Sequence, residues 1–436
     1  MVVETRNEKV EAARSSVLEF LLINHPIDCP ICDQAGECKL QEYYMDYGGY
    51  RSRFELEEKV HKHKVQPVGK DIMLDQERCI LCTRCVRFLD EVTETHELTI
   101  TERGDHSELT LAAGASVDND YSTNIVDICP VGALTSRRFR FQARVWYLDA
   151  ASSICAGCST GCNIEVHSRR GTIYRLKPRY NPDVNGYWMC DHGRTTFEDP
   201  SSGERLHSSL ARDSGRFVEL DCADVGRRAA HALSTARHVA VVASGHVTME
   251  EGVLLAEILE KLGGGEKILL SPPTSEIPDD GTLISTDRFP NRRGLAELGF
   301  QEQVGLPDGV DAVIVVRVDP AGEPEAGRAG WVAALEDLDT TIVLDERVTE
   351  TTAYADHVLA AASHFESEGS FVNRDGRIQH FEAAVPPPGS AVAGWEALAA
   401  VLRALGGADY DSLESVMATV TRRIGADKKT GTDATV

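Results

Sequence analysis

The stretch CILCTRC, Cys79 to Cys85, read together with the dipeptide Cys129–Pro130, decides how the first half of this chain folds. Three thiolates within seven residues converge on adjacent corners of one inorganic group, because the loop between them is just long enough to wrap it. A fourth ligand then arrives from a distance to close the cage. Working outward, two further sets follow the same plan. HPIDCPICDQAGEC supplies His25, Cys29, Cys32 and Cys38, and CAGCSTGC with a distant cysteine supplies Cys155, Cys158, Cys162 and Cys190. Eleven of the twelve cysteines lie between Cys29 and Cys190. Beyond them stands only Cys222, alone in FVELDCADVG with no ligand-spaced partner, and a small core side chain is its expected role.

The run Cys79, Cys82, Cys85 matches the opening of a bacterial ferredoxin motif, and Cys129 before Pro130 matches its closing CP, displaced along the chain. A 4Fe-4S cluster is therefore expected at this set. Structural zinc also takes four cysteines, but usually from two well-separated CxxC pairs. The His/Cys3 set is less decisive, because three cysteines and a histidine are also a zinc arrangement. A neutral imidazole in place of one thiolate would lower the negative charge on a cluster, and histidine ligation raises the potential of Rieske centres. His25 lies between Asn24 and Pro26 at the end of an amphipathic helical stretch, so a solvated helix-end histidine is its alternative. The third set has intervals of two, three and twenty-seven residues, as found where a cluster is joined to a large α/β oxidoreductase domain. The expectation is three 4Fe-4S clusters, with no catalytic side chain.

The chain has 436 residues, enough for two or three domains, with 42% hydrophobic and 26% charged residues, as in a globular protein with a real core. A formal charge of -24 would repel phosphate backbones and anionic lipid headgroups, which argues against nucleic acid as a partner. MVVETRNEKVEA holds no apolar core of a secretory signal, and runs such as Val313 to Val316 are too short to span a bilayer. A cytoplasmic location follows, with cysteines held in a reducing compartment. After about Arg216 the texture changes to α/β. Strands are expected at Val239–Ala243, Ile268–Leu270, Ala312–Val316 and Thr341–Leu344, with a helix opening on the capping box of Thr248 and Glu251 and stopping at Gly263–Gly265. Strand, helix, strand in this rhythm means a parallel sheet. Pro386–Pro388 precede a last helical stretch, Gly394–Leu405, and ADKKTGTDATV reads as a disordered tail.

LLINHPIDCPICDQAGECKLQ, CILCTRCVRF and NIVDICPVGALTS resemble the large iron-sulfur subunit of bacterial respiratory complex I, NADH:quinone oxidoreductase. The resemblance is specific to about residue 200. It continues more loosely to about residue 380, where ADHVLAAASHFESEGSFVNRDGRIQ resembles the molybdopterin-oxidoreductase-like domain of that family. It implies a mixed α/β chain of loop-rich iron-sulfur domains followed by a reduced molybdopterin-oxidoreductase-like domain with a parallel sheet. The implied division is 1–70 for the His/Cys3 domain, 71–148 for the ferredoxin-like domain, 149–205 for the third cluster and 206–424 for the α/β domain, before the tail at 425–436. His25, Cys29, Cys32 and Cys38 match the family's His/Cys3 cluster, and Cys79, Cys82, Cys85 and Cys129 match the adjacent cluster on its main wire. Cys155, Cys158, Cys162 and Cys190 match an extra cluster off that path. Partners would be the other peripheral-arm subunits, one of them carrying FMN and NADH, at the cytoplasmic face of the inner membrane with membrane association only through partners.

Two departures stand out. The plant-type domain with a 2Fe-2S cluster that opens the family has no cysteines here, so no 2Fe-2S cluster is expected in this chain. MVVETRNEKVEAAR resembles the segment just after that domain, leaving a separate polypeptide or a longer reading frame as the alternatives. The C-terminal domain is also short. The iron-sulfur subunit of a soluble NAD-linked hydrogenase or a formate dehydrogenase complex is the alternative function. A working formate dehydrogenase needs a metal-ligating cysteine or selenocysteine, usually before histidine, but Cys222 precedes Ala223; its CxKGR segment reads CDHGR here, with His192 for the lysine. No molybdopterin is expected. No glycine-rich dinucleotide fingerprint follows a strand either, since ASGH at Ala243–His246 lacks the glycine spacing.

Overall fold

The computed structural model describes residues 2–49, 51–198, 204–270, 277–323 and 325–425. The tail from residue 426 onward lies outside the described residues. Two compact units emerge, the first formed by Met1–Asp149 with Trp188–Asp191, the second by Ala150–Tyr187 with His192–Val436.

The first unit is built from short elements around its cysteines. Helix α1 (Glu8–Asn24) is capped by Asn7, whose side chain accepts from the Val10 amide, and ends at His25 because a residue before proline is driven out of the helical region. Its apolar residues do not form one stripe: Leu18 is buried while Val17 and Phe20 are exposed, which corrects the expectation of an amphipathic helix. Lys59 offsets the helix end by donating to the carbonyls of Leu22, Ile23 and His25 at 2.8 to 2.9 Å. Helix α2 (Lys39–Tyr47) starts at Cys38, α3 (Arg84–Glu91) carries Cys85 in its first turn, and α4 (Asn124–Ile128) stops at Cys129. Strands β1 (Gln66–Pro67), β2 (Ile72–Leu74) and β5 (Leu134–Ser136) make an antiparallel sheet, and β3 (Leu98–Thr101) pairs with β4 (Glu108–Leu111). Ile72, Leu74, Phe88, Leu89, Leu109 and Ile125 form the core against which the cysteines pack.

The second unit opens with a three-stranded sheet of β6 (Asp149–Ile154), β7 (Asn163–Arg169) and β8 (Thr172–Pro178). Then comes an eight-stranded sheet built from β9 (Ser209–Asp213), β10 (Arg216–Leu220), β11 (Val239–Ala243), β12 (Glu266–Leu269), β13 (Gln301–Glu302), β14 (Ala312–Val316), β15 (Thr340–Asp345) and β16 (His357–Ala360). Its order is β10-β9-β16-β15-β14-β11-β12-β13, parallel from β16 to β13, with β9 and β10 antiparallel at one edge. The antiparallel hairpin β17 (Gly369–Val372) and β18 (Ile378–Phe381) lies outside this sheet. Both faces of the sheet's centre are covered, so β11 and β14 are continuous apolar runs, buried throughout. Val239, Val241 and Ala243 face a core shared with α5 (Cys222–Thr235), α6 (Met249–Lys261), α9 (Gly394–Ala404) and α10 (Leu413–Ile424). Ala240 and Val242 face the opposite core, which includes Trp331 and Leu335 of α8 (Glu325–Asp337). Short α7 (Arg292–Glu297) precedes β13. The expected strands recur at their positions or within a residue or two, and the capping box of Thr248 and Glu251 is present. Helix α10 corrects the expectation that Gly394–Leu405 is the last helix.

Candidate iron-sulfur sites

Cys79, Cys82, Cys85 and Cys129 line one pocket in the first unit, whose other walls are Ile80, Leu81, Thr83, Arg84, Ile100, Leu109, Val131, Ala133 and Leu134. Cys79 ends a 3-10 turn, Cys85 sits in the first turn of α3, and Cys129 ends α4. The loop bends around Cys82 through left-handed backbone at Leu81 (φ 55°) and Thr83 (φ 62°), costly for side-chain-bearing residues unless the surroundings hold it. Amides turn toward the sulfurs, with Leu81 N donating to Cys79 Sγ at 3.4 Å, and the Cys129 thiol reaches the Val131 carbonyl at 3.0 Å. Burial pushes the Cys85 thiol up to about 12 and Cys129 up to about 11. Cys79, Cys85 and Cys129, all raised by burial, are poor thiolates unless a positively charged group enters with them.

The first set lies in the same unit. Cys29 opens a 3-10 turn, Cys32 closes it in the interior, and Cys38 is the N-cap residue of α2. Burial raises both the Cys32 and Cys38 thiols. His25 Nδ1 is buried with no hydrogen-bond partner, and burial holds the imidazole down at about 4, in the neutral form a metal ligand requires. A solvated helix-end histidine would show neither feature. The ligand loop is pinned by Asp28, whose carbonyl accepts from Ile31 and Cys32 amides, and by Arg144, which donates to the Cys32 carbonyl at 2.6 Å. A Cβ placed on Gly132 would lie 2.3 Å from Cys32 Sγ, so the turn after Cys129 packs directly against the first set. Sequence reading missed Asp28, Arg78 and Gly132; their only signal was position, one inside the first motif and two flanking ligands of the second.

Of the third set, Cys155, Cys158 and Cys162 belong to the second unit, each 5% exposed or less, in the loop between β6 and β7. Cys155 N donates to the Cys162 carbonyl at 2.8 Å, which closes the loop. Thr160 donates to Leu283 O at 2.7 Å, and Asn373 donates to Thr160 O, tying the loop to the body of the unit. Cys190 falls in Trp188–Asp191, which is held by the first unit: Asn124 Nδ2 donates to Met189 O, and Ser122 Oγ to Asp191. Among the described residues no group of three or more His, Cys, Asp or Glu side chains is placed to hold a metal ion. Cys222 opens α5, half-buried against the core, with its thiol raised to about 11 by burial and bonded to Ser209.

At the carboxyl ends of β11 and β14, where strand order reverses and open α/β sheets take their ligands, the second unit places a buried ion network. Arg317 pairs with Glu251 at 2.7 Å and Glu346 at 3.0 Å, and donates to the Ala362 carbonyl at 2.9 Å.

The family models match in the order the cysteine sets suggest. They are the NADH-ubiquinone oxidoreductase-G iron-sulfur binding region at residues 14–53 and the ferredoxin-like domain of NADH-quinone oxidoreductase subunit 3 at 69–135. The Fe4S4 domain of molybdopterin oxidoreductases follows at 149–199, and molybdopterin oxidoreductase at 301–404. An NADH-quinone oxidoreductase subunit from Rickettsia felis is 37% identical over 265 residues. This chain is related to the iron-sulfur subunits of NADH-quinone oxidoreductase. Subunit 3 from Thermus thermophilus is likewise 37% identical, over 278 residues, and the 75 kDa subunit of NADH-ubiquinone oxidoreductase from Reclinomonas americana is 37% identical over 286. These alignments span 60%, 60% and 64% of this chain but only 39%, 35% and 41% of the relatives, so the chain covers about two fifths or less of their length. A crystal structure of an NAD+-reducing NiFe hydrogenase matches 32% of this chain and 60% of its own at 30% identity, with a TM-score of 0.29, too low to inform the fold. No described helix is long and apolar enough to cross a membrane.

Proposed function

We propose that this chain is the electron-transfer subunit of an NADH:quinone oxidoreductase, relaying electrons from the FMN and NADH site of a partner subunit toward quinone through three 4Fe-4S clusters. The observation that supports it is the gathering of Cys79, Cys82, Cys85 and Cys129 around one apolar-lined pocket. Bound clusters supply one-electron acceptor and donor chemistry. The chain's residues do the rest. Apolar side chains line the second set, amides directed at sulfur stabilise the reduced state, and the buried His25 Nδ1, in the same unit as Cys29, Cys32 and Cys38, offers a neutral ligand.

Cys155, Cys158, Cys162 and Cys190 would hold the third cluster as a side site. Arg317, Glu251 and Glu346 form an ion network at the carboxyl ends of β11 and β14, and Cys222, the one cysteine after Cys190 in the sequence, precedes Ala223 rather than histidine, which supports a reading without molybdopterin. The partners are the flavin-bearing and iron-sulfur subunits of the peripheral arm, which attach this chain to the cytoplasmic face of the membrane. The modules bounded near residues 70, 148 and 205 correspond to one cluster each and a cofactor-free α/β domain.

Protein purified without oxygen should contain about twelve iron and twelve acid-labile sulfide per chain, four for each cluster. Saturating zinc without sulfide would overturn the reading. In the assembled complex, normalised to particle number, replacing Cys82 and Cys85 by alanine should abolish NADH-to-quinone transfer. Replacing Cys155 and Cys158 should spare most of it.

A further inference from the structure

Arg78 is the buried cation of the first unit, 3% exposed, next in sequence to Cys79. Its guanidinium grips Asp28 with both arms, Nε to Oδ1 at 3.1 Å and Nη2 to Oδ2 at 2.6 Å, and Nε lies 3.3 Å from Asp75 Oδ2. Asp28 sits between His25 and Cys29, inside the first ligand loop. Lys64 joins the cluster of charges, 3.1 Å from Asp28, 3.6 Å from Asp75 and 2.7 Å from Glu77. The stem of Arg78 passes the glycine that touches Cys32: a Cβ on Gly132 would lie 3.6 Å from Arg78 Cδ and 2.3 Å from Cys32 Sγ.

We propose that Arg78 is a positioning and tuning residue: it clasps the His/Cys3 ligand loop to the segment that begins the second ligand set, and holds a permanent positive charge beside Cys32. The inference rests on the proposed clusters. A buried guanidinium cannot be satisfied by water, so its two carboxylates fix it in place. A fixed positive charge near a cluster favours the state with the extra electron, in a dry interior where charges are poorly screened. Asp28 acts oppositely, as the carboxylate that Arg78 and Lys64 grip at 2.6 and 3.1 Å. The two residues share one clasp but carry opposite charges.

That contrast separates tuning from mere support. Wild-type chain, Arg78→Gln, Arg78→Lys and Asp28→Asn are purified anaerobically, assayed for iron and sulfide, and titrated electrochemically with EPR detection. Among loaded proteins, Arg78→Gln should shift the midpoint potential of the His/Cys3 cluster downward, Asp28→Asn should shift it upward, and Arg78→Lys should stay near wild type. The all-cysteine clusters should move less. If Arg78→Gln does not load, the upward shift of Asp28→Asn with an unmoved Arg78→Lys decides the matter. Equal potentials in all loaded variants, or shifts of one sign for Arg78→Gln and Asp28→Asn, would overturn the proposal. Absence of iron and sulfide from the wild-type chain would instead overturn the cluster assignment itself.

Discussion

Gly132 offers a test of how closely the two cysteine sets are fitted together. Alanine there would set a Cβ 2.3 Å from Cys32 Sγ, about 1 Å inside ordinary van der Waals contact, with Gln34 Cβ at 3.2 Å closing one direction of escape. The added methyl meets the interior, since Cys32 is 9% exposed and Val131 and Ala133 on either side of Gly132 are almost wholly buried. The sulfur must therefore move by roughly 1 Å, several times the roughly 0.2 Å tolerance of a ligand bond. Overpacking of this kind costs about 1 to 3 kcal/mol in a folded core, so the chain should still fold. Gly132→Ala is expected to lose the His/Cys3 cluster selectively, about four of about twelve iron, with that cluster's EPR signal absent and the signal of the second set retained. Iron and sulfide analysis with EPR on anaerobically purified protein reads this directly. A variant with full iron and an unchanged His/Cys3 signal would show that the turn after Cys129 does not abut Cys32.

Further expectations concern the second unit. Glu250 is fully buried, accepting from Ser370 N at 2.9 Å and Ser370 Oγ at 2.7 Å, and burial raises its carboxyl to about 7. Because the folded state binds this proton more tightly than the unfolded chain, stability should fall as pH rises from about 4.5 to about 7; Glu250→Gln should reduce that slope and add up to about 3 kcal/mol at neutral pH. Chemical denaturation across that range checks it, and an unchanged slope would refute it. Cys222→Ala should leave iron and sulfide unchanged and cost about 1 kcal/mol or less, because the half-buried thiol has only Ser209 as its polar partner. Loss of about four iron in that variant would make Cys222 a ligand.

What the sequence made legible follows from how local each signal is. Val239–Ala243 and Ala312–Val316 were readable residue for residue, because a strand covered on both faces by helices must be apolar throughout. The β9–β10 hairpin was not. Its strands mix Ser209, Arg212 and Asp213 with Arg216 and Glu219, and its turn rests on left-handed backbone at Ser214 and Gly215, so nothing in composition marks it as part of the large sheet. Helix α10, with its Ser412 cap, was overlooked because only Val416, Thr419 and Val420 along it are buried. Ligand spacing behaves in the same way. Within the second set three cysteines are tied by loop length, and one cavity gathers all four. In the third set the long interval before Cys190 carries no such constraint, and the structure assigns that cysteine to a different compact unit from Cys155, Cys158 and Cys162. A motif counts donors, whereas the chain must also hold them at fixed separation. That work falls to residues no motif contains, Gly132 against Cys32 and Arg78 across Asp28, whose identities become meaningful only once the segments bearing them have met.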